Sequence, residues 1–105
     1  MTIEKQVEIL NQITQVMHDS AESIYEEMRC KFDYFIDEGD WSVDSEFSFV
    51  RNGEVHRTLL ADATGEVYKN VHQLHELMKS HTGGDWKSFV LAVDPSGKAK
   101  TNFTY

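Results

Sequence analysis

One cysteine, one proline, few bases and no long apolar run mark this chain of 105 residues by what it leaves out. With Cys30 alone, no disulfide can close within the chain and no zinc knuckle can be assembled, a usage that fits a reducing compartment. No apolar stretch approaches the roughly 20 residues that a helix needs to cross a bilayer. The opening Met-Thr-Ile-Glu-Lys-Gln-Val-Glu is polar and periodic and lacks the apolar segment of a signal peptide, so the expected setting is cytoplasmic and soluble. Ten lysines and arginines stand against eighteen aspartates and glutamates, a formal charge of -8. That balance disfavours direct binding of nucleic acid or of an anionic membrane, because both present negative charge.

What the chain does contain is acid, unevenly placed. Between Asp19 and Glu46 there are ten carboxylates and two bases, Arg29 and Lys31, whereas the last twenty-one residues carry two acids, Asp85 and Asp94, and three lysines. Such asymmetry keeps a small protein soluble and also creates a negative face able to attract a basic protein. The length suits one domain over residues 1–105, with a core large enough to fold without disulfide or metal.

The first twenty or so residues read as an amphipathic helix, with Ile3, Val7, Leu10, Ile13 or Thr14, Met17, Ala21 and Ile24 recurring at spacings of three and four. The period then becomes two. Met28, Cys30, Phe32, Tyr34 and Ile36 alternate with Glu27, Arg29, Lys31, Asp33 and Phe35, a pattern that only a strand sorts onto opposite faces. Asp37-Glu38-Gly39-Asp40 is a turn, and Val43, Ser45, Phe47 and Phe49 share one parity of a second strand. Asn52-Gly53 signals a hairpin into a third strand from Val55 to Leu60. A second helix is expected from about Ala63 to Ser80, with Val67, Val71, Leu74 and Met78 inward, Tyr68, His75 and Leu77 flanking, and Gly83-Gly84 as its stop. A closing hairpin follows, from Trp86 to Val93 and from Lys98 to Tyr105, around Asp94-Pro95-Ser96-Gly97. The order α-β-β-β-α-β-β predicts an α+β fold, an antiparallel sheet with two helices packed on one face.

No catalytic set emerges from these residues. Paired carboxylates such as Glu26-Glu27 and Asp37-Glu38 come with neither calcium-loop spacing nor a glycine-rich phosphate loop. His72 and His75 can meet on one side of the second helix, but no further ligand completes a metal pattern, so neither metal nor cofactor is expected. Cys30 falls in the apolar parity and reads as a small buried hydrophobe. Aromatics beside the acidic turn say more. Phe35 lies on the polar parity of its strand and Trp41 follows the turn, and aromatics ringed by charge are what a protein-binding surface uses. Asp33, Phe35, Asp37, Glu38, Asp40, Trp41, Asp44 and Glu46 are therefore the candidate partner-binding residues. A small enzyme or ligand-binding domain using the acidic residues or His72 and His75, and a self-associating structural module, are the alternatives.

The run Trp86-Lys87-Ser88-Phe89-Val90-Leu91-Ala92-Val93-Asp94-Pro95-Ser96-Gly97-Lys98, with Asn102-Phe103-Thr104-Tyr105, resembles the closing hairpin of the YezG-like antitoxin or immunity proteins, bacterial toxin-neutralising proteins. Length, acidic balance and helix-meander-helix-hairpin order are similar too. Between Ser20 and Met28 the chain lacks the proline and tryptophan of typical members, which also suits a divergent immunity family of the same fold. The resemblance implies a single immunity-protein-like domain with no enzymatic residues. It implies a cognate toxin as partner, basic and often a nuclease, neutralised by occlusion of its functional surface.

Overall fold

The computed structural model describes residues 2–22, 25–62 and 65–105. Its elements are α1 (Thr2–Ser20), β1 (Glu27–Asp37), β2 (Asp40–Arg51), β3 (Glu54–Thr58), α2 (Glu66–Thr82), β4 (Ser88–Val93) and β5 (Ala99–Thr104). The five strands form one antiparallel sheet in the order β3-β2-β1-β4-β5, so the fold is α+β with the expected order of elements. Among the described residues no helix is long and apolar enough to cross a membrane.

Alternation makes β1 the central strand. Met28, Cys30, Phe32 and Tyr34 are buried, while Arg29, Lys31 and Phe35 point to the other face and are exposed. Phe47 and Phe49 of β2 and Phe89, Leu91 and Val93 of β4 continue the same apolar layer. With Ile9, Ile13, Met17 and Ala21 from the first helical region, Val67, Val71 and Leu74 from α2, and Trp86, they form a single core cluster. Trp86 sits at its centre, wholly buried, with ring centroids 4.9 Å from His75, 5.1 Å from Phe89 and 5.5 Å from Phe103.

Turn chemistry agrees with the sequence. Asn52 and Gly53 both take positive φ, 54° and 74°, which matches the two-residue turn that suits the twist of a β2–β3 hairpin. At the β4–β5 turn the Asp94 carboxylate accepts hydrogen bonds from the Ser96 amide at 2.9 Å, the Ser96 hydroxyl at 2.6 Å and the Lys98 amide at 3.0 Å. These donors favour the charged form, led by the Ser96 hydroxyl, and hold the Asp94 carboxyl below its usual range.

Several sequence expectations are corrected. Ile3 and Val7 are 65% and 51% exposed and Ile9 is inward in their place, while Ile13, Met17 and Ala21 are buried as expected. At roughly 100° per residue, Val7 lies about 120° around the helix from Ile13, whereas Ile9 lies only about 40° away. Ile36, expected on the buried face, is 56% exposed, because β4 pairs with β1 only as far as Asp33 and leaves the end of β1 paired with β2 alone. The third strand ends at Thr58 and Leu59 is 85% exposed. His75 is buried where flanking was expected, and Met78 is only half-buried. Ile24 and the expected start of α2 at Ala63 fall outside the described residues.

Cys30 is buried between Met28 and Phe32 on the core face. Burial pushes its thiol up to about 12, and the negative charge of Glu46 adds to the rise although a backbone hydrogen bond opposes it. A disulfide reagent at pH 8 is expected to label the native protein roughly a thousandfold more slowly than the unfolded chain, following the loss of thiolate. Equal labelling rates with and without denaturant would show that the thiol is not enclosed.

Candidate functional site

The β1–β2 hairpin projects past its neighbours and carries the acidic residues singled out in the sequence. In its register Asp33 faces Asp44, Phe35 faces Ser42, Asp37 faces Asp40 and Lys31 faces Glu46. Side chains directly opposite or two apart share a face of a sheet. Asp33, Phe35, Asp37, Asp40, Asp44 and Glu46 therefore lie together on the face opposite to the core. Phe35 is 51% exposed among them. Glu38 and Gly39 close the hairpin with φ of 50° and 87°, so Glu38 holds its carboxylate at the tip in a left-handed conformation that costs a non-glycine residue energy.

Like charges directly opposite each other weaken a sheet. Two such pairs, Asp33 with Asp44 and Asp37 with Asp40, stand within this one hairpin. Lys31 lies 3.7 Å from Asp33 and offsets part of that repulsion.

Trp41 is placed differently from the other candidates. It shares the parity of Val43 and Phe47, and its indole stacks on the His72 imidazole of α2 with ring centroids 4.3 Å apart and planes 4° from parallel. His72 Nδ1 is 2.8 Å from the Tyr34 hydroxyl. The Tyr34 ring stacks on His75 at 4.1 Å, and His75 Nε2 is 2.9 Å from Asp85 Oδ1. Burial, then the negative charges of Glu76 and Asp85, push the Tyr34 hydroxyl above its usual range. The two histidines thus meet through Tyr34, and they tie α2 to the sheet. No group of metal-ligating side chains is found among the described residues.

The opposite end of the open face is basic, which the sequence reading missed. There a groove of about 620 Å³ has Arg29, Arg57, Lys98 and Lys100 in its lining and Val50, Val55, Val90 and Ala92 as its apolar part. Glu27 and Asp94 also line it, the latter already committed to its turn. These bases come from β1, β3, β5 and the β4–β5 turn, so they are scattered in sequence and meet only through strand order. A second groove, next along the face, is lined by Lys31, Glu46 and Leu59, among others. Strand parity was the one signal available, since Arg29 and Lys31 share the side of Asp33.

Compared with known proteins, the chain matches no protein-family model and no curated protein.

Proposed function

We propose that this protein is an immunity protein or antitoxin, which captures a basic toxin domain on the acidic half of its open sheet face and neutralises it by covering the toxin's functional surface. The observation that carries this reading is the gathering of Asp33, Phe35, Asp37, Asp40, Asp44 and Glu46 on one exposed face of the β1–β2 hairpin. Phe35 supplies apolar contact area, and the carboxylates around it supply complementarity to lysine and arginine. A toxin acting on nucleic acid has a cationic substrate groove, and a rigid acidic hairpin is a fitting plug for it. The resemblance of the closing hairpin to YezG-like proteins supports the same class.

The test is capture of a basic toxin domain encoded beside this protein, followed by binding kinetics. Affinity of the order of nanomolar is expected, with an association rate that falls steeply between about 50 and 500 mM salt as steering is screened. A salt-independent rate would rule out steering by this acidic face. Failure to protect cells or substrate from the toxin would rule out neutralisation even if the two proteins bind.

A further inference from the structure

The acidic hairpin tip and the basic groove occupy opposite ends of the same sheet face. We infer that this face is also the contact surface for a second copy of the chain, in an antiparallel two-fold dimer where the hairpin tip of each protomer lies over the groove of the other. The inference concerns the protein alone and does not rest on the toxin reading.

Charge and shape both select this occupant. The tip offers Phe35, 51% exposed, beside Asp37 and Asp40, while the groove offers an apolar floor beside Arg29, Arg57 and Lys100. Each therefore lacks what the other carries. Two identical faces can meet only through a two-fold axis lying in the plane between them. An axis parallel to the strands would set acid on acid and base on base. An axis across the strands sets each acidic end over a basic end, and it does so twice. This second arrangement also keeps the order of the strands, so the tip of β1 and β2 comes down on the region around β1 and β2 of the partner. The groove is centred there, with Arg29, Ser48 and Val50 in its lining.

From Arg29 to Asp37 β1 covers about 26 Å. Beyond Asp33 only β1 and β2 continue, so each tip is about 10 Å wide and the footprint is roughly a few hundred Å² per partner, the scale of a weak dimer. The overall charge of -8 opposes association at long range. Beyond about 8 Å that repulsion is screened at physiological ionic strength, whereas paired charges within the interface are in contact. Dimer formation would hide the acidic hairpin, so a protein partner binding there competes with the second copy.

The experiment is sedimentation equilibrium on the purified full chain from about 1 to about 500 µM, a range that brackets weak dimers. Wild type is expected to shift from the monomer mass towards twice that mass. Two doubly substituted proteins, Asp37→Lys with Asp40→Lys and Arg29→Glu with Arg57→Glu, should each raise the dimer Kd at least about tenfold, since each turns complementary ends into like-charged ones. Mixed in equal amounts, they should recover a heterodimer, because the basic tip of one meets the acid introduced into the groove of the other, and the remaining tip and groove keep their wild-type charges. Should the arginine variant fail to fold by circular dichroism, Lys98→Glu with Lys100→Glu replaces it. A wild type that stays monomeric throughout overturns the inference and leaves the face to a partner of another sequence. Variants that dimerise like wild type, or a mixture that remains monomeric, overturn the tip-over-groove arrangement.

Discussion

Reversing the charge at Asp37, Glu38, Asp40 and Asp44 together is expected to weaken binding of a basic toxin by about a hundredfold or more without destabilising the free protein. Each of these side chains is exposed on the hairpin, and each would face lysine or arginine at the rim of a complex. Rim contacts are worth about 0.5–1 kcal/mol apiece, so four lost attractions replaced by repulsions amount to about 3 kcal/mol or more. Most of that loss should appear in the association rate. Folding responds in the other direction. Asp44 stands directly opposite Asp33 and Asp40 opposite Asp37, so Asp44→Lys alone replaces a repulsive cross-strand pair by an attractive one. A gain of a few tenths up to about 1 kcal/mol is expected in urea unfolding. Opposite signs for affinity and stability identify residues kept for binding. Unchanged affinity would move the site off this hairpin, and a loss of stability would make the carboxylates part of the fold's support.

Trp86→Ala is expected to destabilise the protein by about 3–5 kcal/mol, measured by urea unfolding. A domain of this size has about 5–15 kcal/mol in total, so the variant would approach the threshold of unfolding at 37 °C. The indole is fully buried and joins α2 to both strands of the closing hairpin, through His75, Phe89 and Phe103. Removing it leaves a cavity whose walls belong to separate elements and cannot readily collapse together. Trp86→Phe should cost much less, about 1–2 kcal/mol. Part of the reason is size, and part is that Trp86 Nε1 has no hydrogen-bond partner among the described residues, so its deletion removes a donor unsatisfied there. If phenylalanine proves as damaging as alanine, packing around a ring is not what the tryptophan contributes.

The parts of the fold legible in the sequence are those where a short repeat meets a uniform environment. Met28, Cys30, Phe32 and Tyr34 alternate strictly with charged residues, and all four are buried. Val67, Val71 and Leu74 recur at helical spacing, and all three are buried as well. Turn residues were equally plain at Asn52-Gly53 and Asp94 to Gly97, since local backbone geometry demands them. The first helix was harder. Its apolar residues exceed what one face can hold, and two overlapping stripes fit the spacing rule. Packing chose the one through Ile9, Ile13 and Met17 and left Ile3 and Val7 outside.

The candidate site divides in the same way. Acid and Phe35 on one parity of β1 were visible from alternation, and the register of β2 then added Asp40, Asp44 and Glu46 to that face. Trp41 was grouped with them by proximity in sequence, yet one residue along a strand is enough to turn a side chain to the other face, where His72 covers it. The buried position of His75, polar by type, followed from its seat between Tyr34 and Trp86 with Asp85 as partner.

By itself the sequence determined the element order, the α+β class, the excess of acid around the first hairpin and the identity of most core residues, because these depend on residue type and on neighbours within a few positions. Only the tertiary structure decided where β1 loses its second neighbour, which of two helical stripes is buried, and that Arg29, Arg57, Lys98 and Lys100 meet around one groove. Those outcomes depend on strand order and on contacts between residues far apart in the chain, and no local spacing encodes them.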